Sequence, residues 1–173
     1  MAFVEALEYQ FDIDKIREIL DTYSHIEQVT LNNRGDVRDP QKQLTCGSGG
    51  LQNYYEILSY DDIKGKDFHW KHLNVLFRNT YIEDMYDEIS DDYMIGRSRF
   101  MNLKPGKCYS YHHDFSKRLH IPVVTNEHCK FFDKDWKNYH LEAGKSYIVD
   151  TTQKHTAGNF GRDTRTHIVM AIQ

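Results

Sequence analysis

The apolar positions change period once along the chain, close to Gly96. Before that point Asp12 stands ahead of Ile13, Ile16, Ile19, Leu20, Tyr23 and Ile26, a stripe at helical spacing with an N-cap residue in front of it. Thr80-Tyr81-Ile82-Glu83 has the form of a capping box, and Ile82, Met85, Tyr86 and Ile89 follow on one face. A second helix is therefore predicted from about Thr80 to Ser90. Between the two, Asn32 to Gly50 is rich in Asn, Gly, Asp, Gln and Ser, contains Pro40 and ends Gly47-Ser48-Gly49-Gly50. It reads as a long loop, either a mobile surface segment or a lid over a pocket.

After Gly96 short alternating or β-branched runs take over, separated by turn residues such as Lys104-Pro105-Gly106, Thr125-Asn126-Glu127, Glu142-Ala143-Gly144-Lys145 and Gly158-Asn159-Phe160-Gly161. The predicted strands run from Arg99 to Leu103, Lys107 to His112, Arg118 to Val124, Lys130 to Asp133, Ser146 to Asp150 and Thr164 to Ile172. Such a series implies a sandwich or barrel. The expected class is mainly β with flanking N-terminal helices. One domain is expected over residues 1–173, with 1–96 as helical support and possible lid and 97–173 as the core carrying the site.

Composition narrows the function. Aromatic residues make up 13% of the chain, led by 12 Tyr, which leans towards sheet. Against 26 Asp and Glu stand 22 Lys and Arg, a net charge of −4 with no basic cluster, so nucleic acid is not an expected partner. No apolar run reaches membrane-spanning length, and the first residues lack the pattern of a signal peptide. Cys46, Cys108 and Cys129 are odd in number and widely spaced, so neither a disulfide framework nor a zinc ribbon is indicated. A cytoplasmic location is expected, and oligomeric state is not legible.

The chemistry concentrates in Tyr109 to His120. On a strand, His112 and Asp114 would share one face and His113 the other, offering two ligands to one metal ion. Non-haem iron(II) takes two imidazoles and one carboxylate, leaving positions open for co-substrate and oxygen. His155 is the best third ligand, because it follows one predicted strand and precedes the closing one. Arg165 lies ten residues further on, and its guanidinium suits the remote carboxylate of a dicarboxylate co-substrate. Arg118 and His120 share a strand face while Leu119, Ile121 and Val123 fill the other. Cations facing one interior need anionic partners. Taken singly, each of these residues has an ordinary structural explanation as a packed, hydrogen-bonded or salt-bridged side chain. Their order on a strand-rich background is what distinguishes them.

Leu103-Lys104-Pro105-Gly106 leading into His112-His113-Asp114, then Arg118-Leu119-His120-Ile121-Pro122, Glu142-Ala143-Gly144-Lys145, His155-Thr156-Ala157-Gly158-Asn159 and Arg165-Thr166-His167 together resemble the 2-oxoglutarate and iron(II)-dependent oxygenases, and within them the aspartyl/asparaginyl β-hydroxylases. The resemblance covers the chain from Arg97 onward. It implies a double-stranded β-helix, a jelly roll related to the cupins, with His112, Asp114 and His155 as iron ligands and with 2-oxoglutarate and O2 as co-substrates. Arg165 is implied as partner of the distal carboxylate, and Arg118 and His120 as further co-substrate contacts. Members that hydroxylate protein domains resemble one another in dispensing with the acidic ligand, so the presence of Asp114 tilts the expected substrate towards a small one, an amino acid or a peptide side chain of aspartyl, asparaginyl or prolyl type. Asp114 either coordinates the metal or hydrogen-bonds beside it. Two rival readings are a cupin-like metal-dependent dioxygenase or isomerase that does not use 2-oxoglutarate, and a binding module whose histidines only pack.

Overall fold

The structure is a computed structural model that describes residues 2–55 and 63–173. Its centre is an antiparallel six-stranded sheet in the order β1 (Val4–Gln10), β9 (Lys145–Val149), β6 (Lys117–Val124), β11 (Arg165–Ile172), β5 (Ile95–Leu103) and β2 (Gln28–Thr30). A second sheet, β10 (Thr156–Asn159), β7 (Cys129–Phe132) and β8 (Asn138–Tyr139), supplies the opposing layer, and β3 (Asn32–Asn33) pairs with β4 (His72–Leu73). This is a jelly-roll architecture, as the family resemblance implied and within the sandwich-or-barrel class that the strand spacing predicted.

Period-2 alternation gives the large sheet two different faces. Phe100, Leu119, Ile121, Val123, Ile168, Met170 and Ile172 are buried against helices α1 (Ile13–Asp21) and α3 (Tyr81–Ser90), with Ile16, Leu20, Ile82, Met85 and Ile89 meeting them. At about 25 cal/mol per Å² of apolar surface removed from water, this layer is the main source of stability. The intervening positions on β5, β6 and β11 carry Arg97, Arg99, Arg118, His120, Arg165 and His167, all buried.

Both helices start where their caps place them. The Asp12 carboxylate accepts from the Asp14 and Lys15 amides, and the Thr80 hydroxyl accepts from the Ile82 amide. Glu83, expected to reach back to Thr80, instead accepts from the Asn79 amide at 2.6 Å, because Asn79 turns at φ 57 and points its N–H there.

Other expectations are corrected. Residues before Gly96 are not helical support alone: they contribute both edge strands of the large sheet, β1 and β2. The stretch from Asn32 to Gly50 is pinned rather than free, with helix α2 (Pro40–Gln43), Asn32, Gln43 and Leu44 buried and the Thr30 amide donating to the Leu44 carbonyl at 2.8 Å. Lys107 to His112 forms no continuous strand. It follows β10 by isolated bridges, Cys108 to Gly158 and His112 to His155. Conversely, Gly158 and Asn159, predicted as turn residues, end β10. A Cβ at Gly158 would lie 2.7 Å from the exposed Phe160 ring, which packs over the glycine at the end of the strand.

Candidate active site

The cavity lies between the two sheets and measures about 90 Å³. β5 brings Arg99 and Met101 to it, β6 brings Arg118 and His120, β11 brings Arg165 and Val169, and Phe131 and Ala157 close it from the small sheet. The cross-strand register aligns Tyr147, His120, Val169, Arg99 and Thr30 in one row over five strands, so the charged face is continuous.

His112, Asp114 and His155 meet at one end of the cavity, where one ligand atom from each lies within 4.8 Å of the others. They are brought together by backbone pairing, since no regular strand runs through His112. The His112 amide donates to the His155 carbonyl at 3.0 Å, the His155 amide returns the bond at 2.7 Å, and the Asp114 amide donates to Thr151 at 2.7 Å. Each imidazole is fixed in the same way: Nδ1 of His112 donates to the Ser110 carbonyl at 2.6 Å, and Nδ1 of His155 to the Gln153 carbonyl at 2.9 Å. A carbonyl can only accept, so Nδ1 carries the proton and Nε2 keeps its lone pair, the form a metal ion needs. Burial also lowers the His155 pKa, which keeps the ring neutral. Burial would raise the Asp114 carboxyl, but the Arg118 guanidinium beside it outweighs burial and holds the group below the usual carboxylate value. The donor set, two imidazoles anchored through Nδ1 and one ionised carboxylate on one side of a cavity, fits a hard-to-borderline divalent ion such as iron(II).

Arg165 is 1% exposed, and its Nε and Nη1 have no hydrogen-bond partner. The guanidinium lies over the Phe131 ring at 5.2 Å and the Tyr109 ring at 5.8 Å. Burial pulls its pKa down, with Tyr109 offsetting part of the effect. A buried cation with unmet donors is costly unless an anion completes it, and a carboxylate entering the cavity would do so.

Arg118 stands differently. Its Nη2 donates to Asp67 at 2.8 Å, Nη1 to Ser116 at 2.7 Å and Nε to Asp114 at 3.2 Å, so its fork is shared among protein acceptors. His120 lines the cavity beside Arg165, and burial holds it neutral, far below its ordinary pKa. It lies against His167, the two Nδ1 atoms 3.5 Å apart.

Asp67 was not visible as a site residue in the sequence. It sits in the polar run Lys66-Asp67-Phe68-His69, with no spacing relation to the histidines. The one available signal was the arginine-rich sheet face, which demanded an acid from elsewhere. Arg99 also lines the cavity: its buried Nε has no partner, and burial together with Arg97 and Arg118 lowers its pKa to about 9. Among the described residues no helix is long and apolar enough to cross a membrane.

Comparison with known proteins agrees with the fold. The profile of the aspartyl/asparaginyl beta-hydroxylase family matches residues 51–173. A curated relative, L-proline cis-4-hydroxylase of Rhizobium meliloti (strain 1021), is 22% identical over 99 residues, 54% of this chain and 35% of the relative. The matched region thus spans about a third of that relative's length. Among solved structures, viral collagen prolyl hydroxylase from Paramecium Bursaria Chlorella virus-1 superposes with a TM-score of 0.55 at 11% identity, over 99% of this chain and 90% of that one.

Proposed function

Because the chain belongs to the aspartyl/asparaginyl beta-hydroxylase family, we propose that it is a 2-oxoglutarate- and iron(II)-dependent oxygenase that hydroxylates an amino acid, free or within a peptide. The observation that carries this reading is the pairing, in one cavity, of a His112, Asp114 and His155 donor set with the buried, unsatisfied guanidinium of Arg165. A cupin-like enzyme that did not use a 2-oxo acid would have no need for that cation.

In this proposal Nε2 of His112, Nε2 of His155 and a carboxylate oxygen of Asp114 hold the metal. Iron(II) with 2-oxoglutarate supplies the oxidising power, taking up O2, releasing succinate and carbon dioxide and inserting one oxygen atom into a C–H bond. Arg165 binds the distal carboxylate through paired N–H donors, a geometry that an ammonium cannot reproduce. His120, neutral beside Arg165, contributes a hydrogen bond without adding charge to the cavity. Met101, Phe131, Ala157 and Val169 keep water from the reacting end.

Arg97 and Arg118 pair with the carboxylates of Asp67 and Asp114, while Arg99 and Arg165 line the cavity without a carboxylate partner. The positive excess supports an anionic co-substrate together with a substrate that carries a carboxylate, for which Arg99 is the candidate contact. An amino-acid-sized substrate is in keeping with the name of the curated relative. The N-terminal strands and the strand-rich region are proposed to work as one oxygenase domain, since β2 lies directly beside the β5 residues that line the site.

The test is anaerobic reconstitution with iron(II) and 2-oxoglutarate, then admission of oxygen with free amino acids and short Asp-, Asn- or Pro-containing peptides. Succinate release above the substrate-free background for at least one class is expected. No succinate for any class contradicts the proposal.

A further inference from the structure

Asp67 comes from a part of the chain remote from the metal-ligand segments, yet it is 2% exposed and aimed at the site. It sits on a 3-10 turn, Lys66–His69, that packs on the start of β5. Gly96 permits that approach, for a Cβ there would fall 2.9 Å from the Asp67 carbonyl oxygen. The two carboxylate oxygens are divided: Oδ1 accepts from Arg97 Nε at 2.9 Å and Oδ2 from Arg118 Nη2 at 2.8 Å. Arg97 in turn donates to the Gly49 carbonyl at 2.9 Å and the Gly47 carbonyl at 3.3 Å. Burial alone would raise the Asp67 pKa, and Arg118 and Arg97 reverse the direction, so the carboxylate is ionised.

The consequence lies at Asp114. A free guanidinium prefers to hold a carboxylate through both oxygens in a fork. Here Nη2 of Arg118 donates to Asp67 and Nη1 to Ser116, which fixes the guanidinium in an orientation in which Nε is its contact with Asp114, and Nε touches only Oδ2. Asp114 lies outside any regular strand, so its side chain depends on Arg118 for its orientation. We infer that Asp67 is a positioning residue for the metal centre: by anchoring Nη2 of Arg118 it holds the guanidinium where Asp114 receives a single ion-pair contact and keeps the other carboxylate oxygen free to bind metal. Through Arg97 the same carboxylate ties the Gly47–Gly49 backbone to that centre. This role rests on the metal-binding reading proposed above.

Cobalt(II), added to the metal-free protein under argon and followed by its visible absorption, gives a readout that does not require turnover. Asp67→Asn removes the charge that holds Nη2, so Arg118 turns its fork on Asp114 and competes with the metal. Cobalt affinity is expected to fall on the order of tenfold or more, the usual effect of losing a residue that orients a ligand, and the cobalt band to change shape. Unfolding should remain cooperative. Arg118→Lys, which keeps the charge but cannot span three acceptors, is expected to weaken cobalt to a similar extent. It decides the question if Asp67→Asn does not fold. Adding Asp67→Asn to Arg118→Lys should cost little further, because both act through one contact. Affinity within twofold of wild type in the folded single variants, or losses that simply add in the double variant, overturns the inference. A wild-type protein that binds no cobalt overturns the metal-site reading, and this inference with it.

Discussion

The two faces of the six-stranded sheet are built from the same strands and the same alternation, yet they solve burial in opposite ways. On one face Leu119, Ile121, Ile168 and Met170 meet the helices, and the buried groups that meet them are apolar and exchangeable for others of similar volume. On the other, Arg97, Arg118 and Asp67 satisfy one another, whereas Arg165 and Arg99 keep donors without partners. The first face returns free energy on folding. The second withholds some of it, which a protein tolerates where a ligand is to complete the site.

The largest effect should separate the faces cleanly. Leu119→Ala, on the apolar side of β6, is expected to cost about 3 kcal/mol by leaving a cavity against the helices, read as a lower urea midpoint, while 2-oxoglutarate binding by the folded fraction stays at the wild-type value. Arg165→Met inverts that pattern. Replacing a buried, unpaired cation with an apolar side chain of similar length should leave stability unchanged or raised, while calorimetric titration with 2-oxoglutarate in the presence of metal shows affinity at least tenfold weaker. Loss of stability without loss of binding would place Arg165 in the scaffold.

A smaller effect is expected with pH. His120 and His167 are buried on the charged face and held well below their ordinary value of 6.5, first by burial and then by Arg165. As pH falls below about 6.5 the unfolded chain takes up protons that the folded one refuses. Their contribution is therefore full above that pH and is lost as pH falls towards the folded values. The melting midpoint should drop between pH 7.5 and pH 5, and His167→Phe should make the drop shallower. An unchanged pH profile in that variant would mean that His167 does not titrate on unfolding. The smallest effect belongs to the apolar side again: Thr80→Ala removes the cap of α3 and should cost about 1 kcal/mol by urea unfolding, without altering metal binding.

Sequence patterns revealed these faces unequally. β6 was legible because Leu119, Ile121 and Val123 alternate with Arg118 and His120, and the helices because Asp12 and Thr80 announce them. β1 was not: Val4–Gln10 is a half-buried edge strand whose Glu5 and Glu8 face outward, so its period is faint. β10 was hidden by Gly158 and Asn159, which are ordinary turn formers. Here Asn159 is instead fully buried and donates to the Leu103 and Asp163 carbonyls. His112, Asp114, His155 and Arg165 could be picked out by order and residue type alone. Their meeting depends on the backbone bridges between His112 and His155, and the Arg118 contact with Asp67 beside them is likewise encoded by no local period.

The central claim, that the charged face is a site for iron(II) and a 2-oxo acid, is tested most directly by anaerobic titration of the iron(II)-loaded protein with 2-oxoglutarate, monitored by the visible charge-transfer absorption of the chelated metal. Wild-type protein should develop the band saturably, Asp114→Ala should lose it, and Arg165→Met should require a much higher 2-oxoglutarate concentration. A wild-type protein that binds iron(II) and yields no band at saturating 2-oxoglutarate would contradict the account.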